Sequence, residues 1–160
     1  MAKTTKKQAS SARGRRKHIK DDGAYFNKNN RYKSGKFLSA KNKTEIMYRS
    51  SFEYYYMQIL ENDKDVIAYV SEPLAIKYID SDGMSRLYFP DILILYKDGG
   101  TELVEVKPKE MTKAQNVRRK AHAAKLFLNK YYPDTKFRFV TEDDIFENAN
   151  DYKLSLRKMA

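Results

Sequence analysis

The sequence predicts an α/β domain, with a mixed central sheet and helices packed on its faces. Three observations predict it. Helical and extended patterns follow one another in the order helix, three strands, helix, strand, helix. The run Ile92-Leu93-Ile94-Leu95 is apolar without alternation, the pattern of a central strand covered on both sides. Proline and turn residues stand where the elements should stop, at Pro73, Asp80–Gly83, Asp98–Gly100, Pro108 and Pro133.

Residues 1–43 are rich in Lys, Arg, Ser, Asn and Gly and have little to bury, so they read as a basic, largely flexible N-terminal arm. Tyr25, Phe26, Tyr32 and Phe37 interrupt it and give part of 24–43 a means of docking. The folded domain is assigned to 44–160. Its first helix lies in "YRSSFEYYYMQILEND", where Phe52, Tyr55, Tyr56, Ile59 and Leu60 recur at helical spacing and Ser50 with Glu53 forms a capping-box pattern. Extended chain follows at 66–79, bent at Pro73, with a strand at 74–79. One strand is expected at 86–96 and another at 101–107. Thr112 to Tyr131 is helical, with an apolar side (Val117, Ala121, Ala124, Leu126, Phe127, Leu128) and a basic side (Lys113, Arg118, Arg119, Lys120, Lys125). A strand at 136–140 precedes a last helix, with Thr141 as N-cap and Asp144 at its third position.

A chain of 160 residues with 41% hydrophobic residues is long enough for one compact domain. Its formal net charge of +11 favours a polyanionic partner, most often nucleic acid. Residues 1–20 hold eight of the 32 basic residues and no acid, so the other 140 carry only +3. There is no cysteine, which excludes disulfides, Cys-containing zinc sites and thiol catalysis. No apolar stretch approaches the roughly 20 residues of a membrane span. The basic start lacks the apolar region of a signal peptide, so a soluble intracellular protein is expected.

Ionised groups seldom sit in strands this apolar unless they are paired or bind a metal. Asp91 opens one apolar strand, and Glu105 and Lys107 close the next. Side chains alternate with period two. The three share a face only if odd positions pair with odd across the hairpin. A three-residue loop, Asp98-Gly99-Gly100, gives that parity and sets Leu93 opposite Glu105, Asp91 opposite Lys107, and Asp91 diagonal to Glu105. Two carboxylates and a lysine suit metal-dependent phosphodiester hydrolysis. Hard oxygen ligands take Mg²⁺ or Mn²⁺, the metal activates a water, and the lysine offsets charge on the transition state.

Pro90-Asp91 followed by Glu105-Val106-Lys107 resembles the PD-(D/E)xK nuclease signature, and the predicted element order resembles that superfamily's restriction-endonuclease-like core. Within it, "YRSSFEYYYMQIL", "SEPLAIKY", "YFPDILIL", "ELVEVKPKE" and "KFRFVTEDD" resemble the phage head completion nucleases of the T4 type and, more distantly, the TnsA-type endonucleases. The resemblance covers about residues 31–147. It implies that Asp91, Glu105 and the Val106 carbonyl bind the metal, that Lys107 is the catalytic lysine, and that Glu53 is an additional acid above the metal. It also implies DNA as substrate, phage head and neck proteins as partners, and a place in virion assembly, in the virion and host cytoplasm.

Plainer readings stand beside these. Glu53 could simply complete a helix cap, and Lys107 could form a structural ion pair. Glu72 reads as a surface residue, and His122 as packing or surface. The basic helix face is ordinarily just solvated. With a nuclease site nearby, Lys109, Lys113, Arg118 and Arg119 become candidate phosphate contacts, as do Arg13, Arg15, Arg16 and Lys17 of the arm. The rival functions are a non-catalytic DNA-binding protein of the virion neck, a TnsA-like or repair nuclease working with a recognition partner, and a basic RNA-binding protein.

Overall fold

The computed structural model describes residues 33–146 and the short strand Tyr25–Phe26. The described strands fall into three sheets. Strands β1 (Tyr25–Phe26), β2 (Lys33–Ser39) and β3 (Thr44–Tyr48) form an antiparallel sheet. Helix α1 (Ser51–Asn62) follows, then β4 (Val66–Ser71). Strands β5 (Ile76–Ile79) and β6 (Ser85–Tyr88) pair only with each other. Next come β7 (Ile92–Tyr96), β8 (Thr101–Val106), a 3₁₀ turn over Lys109–Lys113, α2 (Gln115–Tyr131), β9 (Thr135–Val140) and α3 (Glu142–Ile145). The central sheet has the order β4-β7-β8-β9. Its first two pairings are antiparallel and β8–β9 is parallel, so the sheet is mixed, as predicted.

Both faces of that sheet are covered, which accounts for the missing alternation in β7. Ile92, Ile94, Val104, Val106 and Val140 pack with Tyr56, Met57 and Leu60 of α1. Leu93 and Leu103, on the opposite face, pack with Ala124 and Leu128 of α2 and with Ile76, Tyr78 and Tyr88. Each fully buried aliphatic contributes roughly 1.5–3 kcal/mol, which fixes the strand order firmly beneath the charged ends. Thr141 caps α3 in a reciprocal capping box with Asp144, as expected.

Three expectations are corrected. Regular structure begins by Lys33 and not near Lys43: β2 and β3 form a hairpin held to α1 by the Glu61 carboxylate, a tertiary contact with no local signature. The single strand expected at 86–96 is two strands in different sheets. Pro90 has no N–H to donate to a ladder, so the chain leaves one sheet at Tyr88 and joins the next at Ile92. The hairpin loop has the expected length but lies one residue earlier. Tyr96 N–H donates to the Gly100 carbonyl, leaving Lys97-Asp98-Gly99 as the loop with Gly99 at φ +85°. The parity is as predicted and the register moves by two: Leu93 faces Leu103 and Ile92 faces Val104.

Candidate active site

Carrying the β7–β8 register one position beyond Ile92 and Val104 sets Asp91 directly across from Glu105. The two carboxylates are thus cross-strand neighbours, closer than the diagonal relation expected. The Val106 N–H donates to Asp91 Oδ2 at 2.7 Å, the one hydrogen bond this carboxylate accepts among the described residues. Glu105 is 5% exposed and accepts two charged or polar contacts. The Tyr88 hydroxyl donates to its Oε2 at 2.7 Å, and Lys107 Nζ lies 3.1 Å from its Oε1.

Glu53 reaches the same place from the start of α1. Its N–H donates to Ser50 Oγ at 3.1 Å, so the predicted cap is present. Its carboxylate does not close the box on the cap residue's own N–H. It accepts from the Arg49 N–H at 2.8 Å and from the Ser50 hydroxyl at 3.2 Å. The Arg49 guanidinium pairs with Glu72 at 2.7 Å, and the Glu72 N–H donates to the Asp91 carbonyl at 2.8 Å. Glu72, at φ +48°, occupies the left-handed region that non-glycine residues seldom enter. Cap and strained turn together brace the start of α1 against the segment carrying Asp91.

The charge balance is unusual for a buried place. Three carboxylates converge with one ammonium. Burial, then the Glu105 and Glu53 charges, push Asp91 up to about 8, despite the opposing Val106 N–H and Lys107. Burial also raises Glu53, outweighing its bonds from Arg49 and Ser50. Burial works to lower Lys107, but Glu105, Asp91 and Glu53 outweigh it and the net shift is upward. Lys107 is therefore held as an ammonium in the metal-free fold.

A hard divalent cation fits this surplus of negative charge. Among the described residues no three acidic or histidine side chains form a ready cage, so main chain and water must complete any such set. The main chain offers a donor. Lys107 N–H points to β9, bonding the Val140 carbonyl at 2.9 Å. Across a trans peptide the C=O points opposite to the N–H, so the Val106 carbonyl faces the Asp91 side. The sequence-derived set of Asp91, Glu105, Val106, Lys107 and Glu53 is thus brought together at one end of the central sheet.

The candidate phosphate contacts divide. Lys113, Arg118 and Arg119 line a groove beside α2. Lys109 is engaged elsewhere: its ammonium lies 2.5 Å from Asp143 and its N–H donates to Glu142. Arg13, Arg15, Arg16 and Lys17 lie outside the described residues. His122 is exposed on α2, as expected, whereas Glu72 proves half-buried behind Asp91. Sequence reasoning missed Tyr88 and Arg49. Tyr88 stands three residues before Asp91 in the same signature, the one signal that could have found it. Arg49 acts through its backbone and leaves no trace in composition.

Two comparisons with known proteins bear on the family. The family described as "TnsA-like endonuclease N terminal" matches residues 63–142, which include Asp91, Glu105 and Lys107. The chain is also 31% identical over 124 residues to the "Head completion nuclease" of Enterobacteria phage T4, an alignment covering 63% of this chain and 81% of that protein.

Proposed function

The chain belongs to the TnsA-like endonuclease family, and from that premise we propose that it is a metal-dependent DNA endonuclease of the PD-(D/E)xK type. The observation that carries the proposal is the buried excess of carboxylate over ammonium where two strand ends meet. Asp91, Glu105 and the Val106 carbonyl would hold Mg²⁺ or Mn²⁺. When bound, such an ion polarises the scissile phosphate and makes a coordinated water more acidic.

The chain's own groups supply the rest. Tyr88 fixes one oxygen of Glu105, so its rotamer is set before substrate arrives. Lys107 remains an ammonium and offsets the negative charge that builds on the phosphate oxygens as water adds to phosphorus. Glu53, held by Ser50 and the Arg49 N–H, adds a carboxylate above the pair. The name of the T4 relative supports a nuclease of phage head completion, and on this reading the cut falls in packaged DNA before head and tail join. Head and neck proteins are then the partners, and the assembling virion in the host cytoplasm is the setting.

The test is nicking of supercoiled plasmid with Mg²⁺ or Mn²⁺ by the wild type, Asp91→Ala and Lys107→Ala. Metal-dependent nicking lost in both variants is the expected result. Retained DNA binding with no cutting by well-folded wild type in either metal would overturn the proposal in favour of a structural DNA-binding role.

A further inference from the structure

An open groove of about 1000 Å³ runs between α2 and β5. Lys77, Lys113, Arg118, Arg119 and Lys130 line it, and none of the described acidic residues does. None of the five forms an ion pair with a described residue. By contrast, Lys36, Arg49, Arg86, Lys109 and Arg138 each have a carboxylate partner. The groove's charge is therefore uncompensated and fits a polyanion.

Charge alone would suit the outside of a duplex, but the groove is also apolar. Ile79, Leu126 and Tyr131 line it and are each more than half exposed, and Phe127 packs against Tyr131 at a tilt of 48° with ring centroids 4.9 Å apart. A duplex presents phosphates and hides its bases, so it would leave these side chains facing sugar and water. A strand with unpaired bases satisfies both parts, phosphates on the cations and base faces on the apolar floor. Packed side chains link the groove wall to the site already described: Tyr78 in that wall packs edge-on against Tyr88, 6.5 Å between centroids, and Tyr88 bonds Glu105. Lys120, which follows Arg119 in α2, lies over both tyrosine rings.

We infer that this groove binds a single strand of DNA beside the cutting site, so that the preferred substrate is an end or junction with an unpaired strand. The inference rests on the nuclease reading for the identity of the polymer, yet binding is measured without cutting, so the two can fail separately.

The experiment is fluorescence anisotropy of the full chain in EDTA with labelled oligo(dT) and with a blunt duplex of equal length. The variants are Leu126→Ser/Tyr131→Ala and Arg118→Ala/Arg119→Ala, all at exposed positions. The apolar pair is expected to weaken oligo(dT) binding about tenfold or more and to leave duplex binding within about twofold. The arginine pair is expected to weaken oligo(dT) and to flatten its salt dependence, by a slope of about 0.7 per lost phosphate contact. Equal losses on both DNAs, or no loss on either, would overturn the inference. So would poly-glutamate displacing oligo(dT) at matched charge, since that would make the groove a seat for an acidic protein. Plasmid nicking that fails while these binding differences hold would count against the nuclease reading and leave the groove assignment standing.

Discussion

Glu61, in α1, and Asp91, just ahead of β7, are both carboxylates drawn in against the core, and their surroundings drive them in opposite directions. Glu61 accepts from the Ser39 hydroxyl, from the Tyr69 hydroxyl at 2.6 Å, and from the N–H groups of Ala40 and Lys41. Burial tends to raise its pKa, but these donors outweigh burial and the net shift is downward. Asp91 accepts one N–H and faces two further carboxylates, and it is raised. A carboxylate saturated with donors has no capacity left for a ligand and serves to bind β2–β3 to α1. A carboxylate short of donors and crowded by like charge is completed by something outside the chain. The same functional group in two partly buried places is thus a structural staple in one and a docking point for charge in the other.

The largest way to break this contrast is to exchange the outcomes. Glu105→Ala should lower plasmid cutting by about three orders of magnitude or more, while Glu61→Ala should leave the rate per folded molecule unchanged. Single-turnover cutting, normalised to folded protein by circular dichroism, separates them. Comparable losses in the two would end the distinction.

A smaller effect is expected from the group that positions Glu105. Tyr88→Phe keeps the ring packed on Tyr78 and removes only the hydroxyl, so cutting should fall about 10- to 100-fold. Raising the metal concentration should recover part of that loss, whereas a mere packing defect would be indifferent to metal.

Stability should respond the other way round. Glu61→Ala leaves the Ser39 and Tyr69 hydroxyls without their acceptor in a buried place, at a cost of roughly 1–3 kcal/mol. Urea unfolding followed by circular dichroism measures it. Asp91→Asn in EDTA should cost nothing or stabilise, because the folded carboxyl must either hold a proton that the unfolded chain releases or carry a crowded charge, and the amide does neither.

The smallest expected difference is one of slope against pH. In the metal-free fold Asp91 keeps its proton to about 8, against an ordinary value of 3.8. Between those values the folded state binds more protons than the unfolded one, so stability in EDTA should fall as pH rises through that window. Asp91→Asn should flatten the fall. Glu61 is lowered from 4.5, so its contribution is present above that pH and disappears as pH drops through the folded value. Glu61→Gln should flatten the acid limb instead. Thermal melts from pH 3 to 9 show both limbs.

The contrast also marks what the sequence could tell. Odd-with-odd parity at Asp91, Glu105 and Lys107 follows from period-two alternation, a local property, and the structure has it. The register does not follow from it, because either Gly99 or Gly100 could have supplied the left-handed residue, and hydrogen bonding at Tyr96 decides for Gly99. Pro90 was legible as part of a signature but not as a break between sheets, since the flanking residues read as extended on both sides. Ser50 and Glu53 declared a cap, yet the switch of the carboxylate to Arg49 N–H depends on the chain's approach to the helix. Glu61 and Tyr88 were invisible as partners because their contacts span 22 and 17 positions, and long-range pairing leaves no periodicity to read.

The tight turn Lys97-Asp98-Gly99 has a practical consequence. It sits at the far end of β7 from Asp91, about 20 Å away at roughly 3.3 Å per residue. The chain contains no cysteine, so Asp98→Cys would create its sole thiol, on an exposed tip and clear of the carboxylates. With Gly99 kept for its backbone angle, a fluorophore attached there would report on tumbling and proximity during assembly without entering the chemistry it observes.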